Sequence, residues 1–194
     1  MALPTIVGSS GVDKIKGTAG VDVIAAGSGN DVVKGEGGDD IISGGNNRDR
    51  IQGGEGADVI DGGGSNDVVT GGEGDDVLFG SVGDDRLIGG NGSDTLIGGD
   101  DNDVMNLSSP SNSSLGDGSA DIVYFDDSDG VDSVTGFESG LDSIVLTSGT
   151  AYTLTDNGTN SFLTYGTTTV TFVNEIITAT DISFGAALHF SDFG

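Results

Sequence analysis

An aspartate recurs at every ninth position, with no insertion or deletion, at Asp13, Asp22, Asp31, Asp40, Asp49, Asp58, Asp67, Asp76, Asp85, Asp94 and Asp103. Two residues after each stands an apolar one: Ile15, Ile24, Val33, Ile42, Ile51, Ile60, Val69, Leu78, Leu87, Leu96 and Met105. Residues 8–106 thus form eleven units, typified by Gly53-Gly54-Glu55-Gly56-Ala57-Asp58-Val59-Ile60-Asp61, with Asp at position six and the apolar residue at position eight. A period this strict predicts a solenoid, because one unit has too little apolar surface to fold alone and must stack on its neighbours. Glycines at positions one, two and four permit positive φ and close chain approach. The run x-Asp-x-apolar-x leaves room for only a very short strand, so loop and strand are expected to alternate.

These units resemble the RTX, or hemolysin-type calcium-binding, nonapeptide repeats, over residues 8–106. The resemblance implies an all-β fold, a right-handed parallel β-roll of 18 residues per turn. Odd-numbered repeats stack into one sheet, even-numbered repeats into the other, and the apolar residues meet between them. It also implies that each Ca²⁺ lies between the loops of repeats n and n+2, held by both position-six carboxylates and by carbonyls of positions one to four. Carried onto this chain, Asp58 and Asp76 share an ion with carbonyls of Gly53, Gly54, Glu55, Gly56, Gly71, Gly72, Glu73 and Gly74, and the next loop offers Gly89, Gly90, Asn91 and Gly92. Six odd and five even loops then hold about nine ions, each interior aspartate bridging two.

Elementary electrostatics agrees with a cation. Stacking places aspartates of successive same-side loops about one strand spacing, ~5 Å, apart, where two charges repel by roughly 3 kcal/mol at an effective dielectric of ~20. Ca²⁺ takes six to eight hard oxygens in flexible geometry and accepts backbone carbonyls. Mg²⁺ demands a tight octahedron, and Zn²⁺ wants His or Cys. The chain has no cysteine and one histidine, His189.

The charge balance narrows the partners further. Against 32 acidic residues stand 6 basic ones, a net charge of -26. Such a polyanion repels nucleic acid and anionic lipid, and no apolar run reaches membrane-spanning length. All the basic residues, Lys14, Lys16, Lys34, Arg48, Arg50 and Arg86, fall in odd repeats. That face reads either as charge balance or as a site for an acidic polysaccharide. The even repeats instead turn outward Val23, Ile41, Val59, Val77 and Thr95, with Ala25, Ser43, Asp61, Phe79 and Ile97. This stripe reads as strand propensity, as a surface covered by the rest of the chain, or as a self-association surface.

Some loops depart from the frame. Position four is Asn47, Ser65 or Asp101 in three repeats, and Asp101 is taken to mark the end of the regular coil. Ser9, Thr18 and Ala26 replace expected glycines in the first three repeats, whose loops are expected to bind weakly.

Four segments follow: a leader at 1–7, the repeats at 8–106, a polar loop and degenerate turns at 107–150, and a C-terminal cap at 151–194. Asp121-Ile-Val123, Asp132-Ser-Val134 and Asp142-Ser-Ile144 keep the Asp-x-apolar step, and Asp117, Asp126, Asp127 and Asp129 are candidates for irregular calcium sites or solvated acids. From Ala151, alternating residues broken by Asn157-Gly158 and Gly166 predict an antiparallel meander capping the roll.

Met1–Gly8 has no secretory-signal pattern. The family's usual export by type I secretion would read a C-terminal signal, here the tail Phe184–Gly194, placing the protein outside the cell or at its surface. Millimolar calcium there would couple folding to location. The carboxylate pairs Asp39-Asp40, Asp75-Asp76 and Asp84-Asp85 recur as turn residues, and His189 has no partner at an interpretable spacing, so no catalytic centre is expected. Two readings stay open: a self-contained secreted calcium-binding roll acting as a structural, adhesive or surface-layer module, or the C-terminal module of a larger secreted enzyme or toxin, aiding secretion, folding or polysaccharide binding.

Overall fold

The computed structural model of the chain describes residues 5–108, 117–126, 129–147 and 152–186. Short strands follow one another along the repeats: β1 (Thr5–Val7), β2 (Lys14–Lys16), β3 (Val23–Ser28), β4 (Val32–Gly37), β5 (Ile41–Asn46) and β6 (Arg50–Glu55). Then come β7 (Val59–Gly64), β8 (Val68–Glu73), β9 (Val77–Val82), β10 (Arg86–Asn91), β11 (Thr95–Asp100) and β12 (Val104–Ser108). Beyond the repeats lie β13 (Ile122–Phe125), β14 (Val131–Thr135), β15 (Ser143–Leu146), β16 (Tyr152–Asp156), β17 (Ser161–Tyr165), β18 (Thr168–Phe172) and β19 (Ile182–Phe184). They form a nine-stranded sheet in the order β1-β3-β5-β7-β9-β11-β13-β15-β19 and a ten-stranded sheet in the order β16-β17-β18-β14-β12-β10-β8-β6-β4-β2. Odd and even repeats therefore separate, as the family resemblance implies.

The register follows the period. Ile51 sits opposite Val69 and Val69 opposite Leu87, while Ile60 sits opposite Leu78, eighteen residues on. Position-eight side chains from both sheets thus line one narrow core, and from Ile24 to Met105 each is at most 1% exposed. The strands differ from expectation in extent. From β3 to β11 they begin after the aspartate, at position seven, and run through position three of the next unit, as Gly54↔Gly72 and Glu55↔Glu73 pairings show. Only positions four to six remain as a turn. The cause is that position three accepts a hydrogen bond from the neighbouring turn, Gly56 N–H donating to Glu73 O at 2.8 Å, so the sheet ladder extends into the glycines.

This path needs left-handed backbone at positions two and four. From the third repeat to the eleventh every residue at those positions has positive φ, including Glu36, Asn47, Ser65, Ser81 and Asp101 at 74–83°. Glycine is required where stacking is tight: a Cβ on Gly72 would strike the Gly54 carbonyl oxygen. Asp101 stands in the last regular loop: the hydrogen-bonded step from aspartate to aspartate is 18 residues up to Asp85–Asp103 and becomes 27 from Asp94 to Asp121. Asp101 takes the same geometry (φ 83°), and the roll continues through β13, β14 and β15, Leu96 sitting opposite Val123, Met105 opposite Val134 and Val123 opposite Ile144.

The core thickens there. Phe125, Phe137, Tyr165 and Phe172 are buried, with Phe137 and Phe172 edge to face at 5.2 Å between ring centroids. β16, β17 and β18 form the expected antiparallel meander, but as an extension of the ten-stranded sheet: β18 pairs parallel with β14, and β16 is the outer edge. Of the polar loop after Asn106, Leu107 and Ser108 belong to β12; residues 109–116 lie outside the described residues, as do Asp127, His189 and most of the tail from 187 onward.

Left-handed non-glycine residues are strained by roughly 1–2 kcal/mol each. Ser65→Gly should therefore raise the unfolding free energy in calcium by about 1 kcal/mol, and Gly72→Ala should lower it by about 2 kcal/mol or more. Denaturant unfolding followed by circular dichroism checks both signs.

Candidate metal centre

Each turn delivers one aspartate into the stack, where its own backbone fixes the next. The Asp58 N–H donates to Asp76 Oδ1 at 2.8 Å, Asp40 to Asp58 at 2.8 Å and Asp67 to Asp85 at 2.6 Å. The same bond links every predicted aspartate from Asp13 to Asp103 to its neighbour two repeats away. The ladder runs past the regular repeats, from Asp94 to Asp121, Asp103 to Asp132 and Asp121 to Asp142, at 2.7, 2.9 and 3.0 Å. The Asp-x-apolar step already marked these three, but their altered spacing hid which aspartates they join.

The second carboxylate oxygen is the unusual one. Oδ2 of Asp31, Asp40, Asp49, Asp58, Asp67, Asp76, Asp85, Asp94, Asp103 and Asp132 is buried with no hydrogen-bond partner. A buried polar group without a partner costs about 1–3 kcal/mol, and more when charged. From Asp40 to Asp103 these oxygens face the position-one glycines, while the Asp31 repeat has Ala26 at that position. A Cβ on Gly53 would strike Asp58 Oδ2 and lie 2.9 Å from the Gly71 carbonyl oxygen; one on Gly71 would strike Asp76 Oδ2 and lie 2.8 Å from Gly89 O, and one on Gly89 would strike Asp94 Oδ2. Bare position-one glycine thus leaves a small space rimmed by carboxylate and carbonyl oxygens.

The other residues expected to contribute fall into two groups. Gly54, Gly72 and Gly90 at position two, with Gly56, Gly74 and Gly92 at position four, shape the loop through positive φ. Glu55, Glu73 and Asn91 turn their side chains to solvent, Asn91 Nδ2 donating to Glu73 Oε1 at 2.8 Å. Their carbonyls accept the N–H of Gly38, Gly56 and Gly74. Among the described residues no three His, Cys, Asp or Glu side chains converge as a metal cluster. The carboxylates come in pairs, so an ion here needs backbone oxygens, the donor set that suits Ca²⁺.

Two further arrangements carry less sequence signal. Position-five side chains make an outer ladder of opposite direction: Asn30 accepts from Arg48 N at 3.2 Å, Asp39 from Ala57 N at 3.0 Å, Asp75 from Ser93 N at 2.8 Å and Asp84 from Asn102 N at 3.1 Å. The members of Asp39-Asp40, Asp75-Asp76 and Asp84-Asp85 therefore belong to different ladders, one outer and one inner. Of the proposed irregular sites, Asp117 accepts the N–H of Gly92 at 3.0 Å and Ser119 at 2.8 Å, and Asp129 accepts that of Asp126 at 2.6 Å.

Burial governs the protonation of the inner ladder. It pushes Asp49 and Asp142 up to about 6, Asp58, Asp67, Asp76, Asp85 and Asp132 to about 7, and Asp94, Asp103 and Asp121 to about 8, as it does Asp129 outside the ladder. The backbone N–H on Oδ1 works against this rise, and in most of them neighbouring carboxylates add to it. Asp181 shows the opposite balance: burial works to raise it, but donors from Thr178, Ser139 and Gly140 hold it below the usual range.

A stacked roll with paired carboxylates and carbonyl-rich turns defines a class, repeat modules built around hard cations. A sequence profile for the RTX calcium-binding nonapeptide repeat matches residues 7–42, 16–51, 43–78 and 79–109, and the chain belongs to that family. Its repeats bind calcium, and such repeats typify secreted proteins. A search of curated proteins finds no match. Among solved structures the chain is similar to the extracellular lipase LipA from Serratia marcescens, at 17% identity and a TM-score of 0.47, over 94% of this chain and 40% of the lipase. It is also similar to the AlgE6R3 subunit of the Azotobacter vinelandii mannuronan C5-epimerase, at 20% identity and a TM-score of 0.27, over 90% of this chain and 80% of that one. This chain spans less than half of the lipase, and likenesses this distant bear no argument about activity.

Carboxyls raised in the fold bind more protons there than in the unfolded chain, so stability falls as pH rises. Calcium-stripped protein should be most stable near the ordinary carboxylate range of about 4 and lose that stability progressively up to about pH 8. Circular dichroism of stripped protein at about pH 5 and about pH 8 checks this; equal or greater strand content at the higher pH contradicts it.

Proposed function

We propose that this chain is a secreted β-roll that folds on binding calcium and serves as a structural, adhesive or surface-layer module with no catalytic centre of its own. The observation that carries the reading is the row of buried, unpartnered Asp Oδ2 atoms, which from Asp40 to Asp103 lie beside bare position-one glycines. The ions would be held by the position-six carboxylates from Asp31 to Asp103 and by glycine-loop carbonyls such as those of Gly53, Gly71 and Gly89. Bound calcium supplies positive charge that lets adjacent loops stack with every carboxylate ionised. Where calcium is scarce the inner carboxylates repel and the chain stays open, which suits passage through a type I secretion channel; outside the cell it closes. The chain then divides into a leader at 1–7, the repeats at 8–106, a loop with degenerate turns at 107–150 and a cap at 151–194, whose tail at 184–194 is the candidate export signal.

Circular dichroism through a calcium titration tests the reading, with magnesium as control. Strand signal should appear cooperatively with calcium and not with equimolar magnesium. A chain fully β-structured in excess chelator at neutral pH contradicts it.

The outer faces suggest partners. Lys14, Lys16, Lys34, Arg50 and Arg86 all lie on the ten-stranded sheet, while Arg48 lies in the turn before β6. Lys16 Nζ–Glu36 Oε1 at 3.2 Å is the one ion pair among the described residues, so little of the basic charge is neutralised by direct pairing. Lys34, Arg50 and Arg86 border a shallow groove of about 440 Å³ with Gln52 and Thr70. This supports an acidic polysaccharide as the ligand of that face. Val23, Ile41, Val59 and Val77 on the other sheet are partly buried and Phe79 is 4% exposed, which lends self-association no added support. In calcium, Arg50→Glu/Arg86→Glu should weaken binding to a polyuronate at least tenfold and leave the fold intact; unchanged affinity, or equal binding to a neutral glycan, sets this partner aside.

A further inference from the structure

The aspartate ladder looks uniform, but its loops are of two kinds. In repeats three to eleven, positions two and four are left-handed and the carboxylate Oδ2 has no protein partner. The first two repeats share neither property. Ser9, Gly11, Thr18 and Gly20 are absent from the left-handed set. Their loops fold back instead, and the position-two residue turns its N–H and its hydroxyl onto the aspartate four residues on. Asp13 Oδ2 accepts Ser9 N–H at 2.6 Å and Ser9 Oγ at 2.8 Å. Asp22 Oδ2 accepts Thr18 N–H at 2.6 Å and Thr18 Oγ1 at 3.0 Å.

The far end repeats the device. Asp142 Oδ2 accepts Glu138 N–H at 2.6 Å, and Asp181 Oδ2 accepts Thr178 N–H at 2.6 Å and Thr178 Oγ1 at 3.0 Å. A hydroxyl at position two is not sufficient by itself. Ser81 also stands at position two, yet it is left-handed (φ 81°) and its hydroxyl turns away to Asp61 Oδ1 at 2.8 Å. The difference is stacking. Ser81 is stacked between Gly63 and Gly99, whose geometry it must copy, whereas the first loops have no repeat beneath them. A β-substituted residue freed from that template avoids left-handed backbone.

We propose that protein donors close the terminal loops in place of calcium, so that the ions are confined to the interior of the roll, beginning with the loops of Asp31 and Asp40. Ser9 and Thr18 take up the carboxylate oxygen that an ion between the first and third, or second and fourth, loops would need. The repeats then hold about seven ions instead of about nine. Ala26, the third departure from glycine, does not close its loop: Gly27 and Gly29 are left-handed and Asp31 Oδ2 stays unpartnered. This inference rests on the calcium reading above, and its consequence is a roll whose first turn is tied by residues that calcium removal does not touch.

Crystals of the full chain grown in calcium decide it by anomalous scattering at long wavelength. Ion peaks are expected from the Asp31–Asp49 and Asp40–Asp58 loop pairs onward. A peak between Asp13 and Asp31, or between Asp22 and Asp40, overturns the proposal while leaving the calcium reading standing. No peak anywhere in the roll overturns the calcium reading itself, and this inference with it. Ser9→Gly/Thr18→Gly should bind about two more calcium ions than the parent by native mass spectrometry. An unchanged count shows that these side chains do not exclude the ions, and also overturns it.

Discussion

A buried carboxylate that uses one oxygen and leaves the other bare sets the terms for the rest of this structure. The used oxygen, Oδ1, takes the N–H of the aspartate one turn earlier and so fixes the stacking of the loops. The bare oxygen, Oδ2, faces the position-one glycine and the carbonyl of the following turn. Stacking, burial and charge therefore cannot be separated. The contact that aligns the turns also brings like charges together in a place that water does not reach. The aliphatic core between the sheets is one residue deep per half turn, too thin to hold that repulsion by itself. On the calcium reading proposed above, a hard cation that accepts carbonyl oxygens would relieve that conflict.

Much of the fold was legible because the period is strict. Position-eight apolar residues gave the core from Ile24 to Met105, the odd-even split gave the two sheets, and Asn157-Gly158 with Gly166 gave the terminal meander. What stayed hidden depended on contacts between turns. The sheet ladder runs into the glycines because position three pairs across turns, which glycine content alone reads as loop. Ser81 is left-handed because its neighbours in the stack, Gly63 and Gly99, both are, and Glu36 shares that geometry with Gly54, each against its own preference. Asp121, Asp132 and Asp142 carry the right local step, but insertions between them conceal the partners that only the stacked chain supplies.

The site was legible in its residues and not in its division of labour. Ser9 and Thr18 in place of glycine already set the Asp13 and Asp22 loops apart from those of Asp58 and Asp76 as weak binders, without showing the cause. Only the backbone of the first two loops shows that Ser9 and Thr18 satisfy Asp13 and Asp22. Likewise Asp75 and Asp76 are one pair in sequence and two functions in space, an outer clip between turns and an inner, unpartnered acid. A family resemblance transfers the frame residue by residue; stacking decides which members keep an oxygen free.

The central claim is that each interior carboxylate is a liability without calcium and a ligand with it. Asp76→Asn separates those two states, since the amide can keep an acceptor for the Asp58 N–H while removing the charge. Circular dichroism in chelator and denaturant unfolding in saturating calcium should show shifts of opposite sign: the variant holds more strand structure than the parent in chelator and is less stable than the parent in saturating calcium. A shift of the same sign in both conditions would contradict the account.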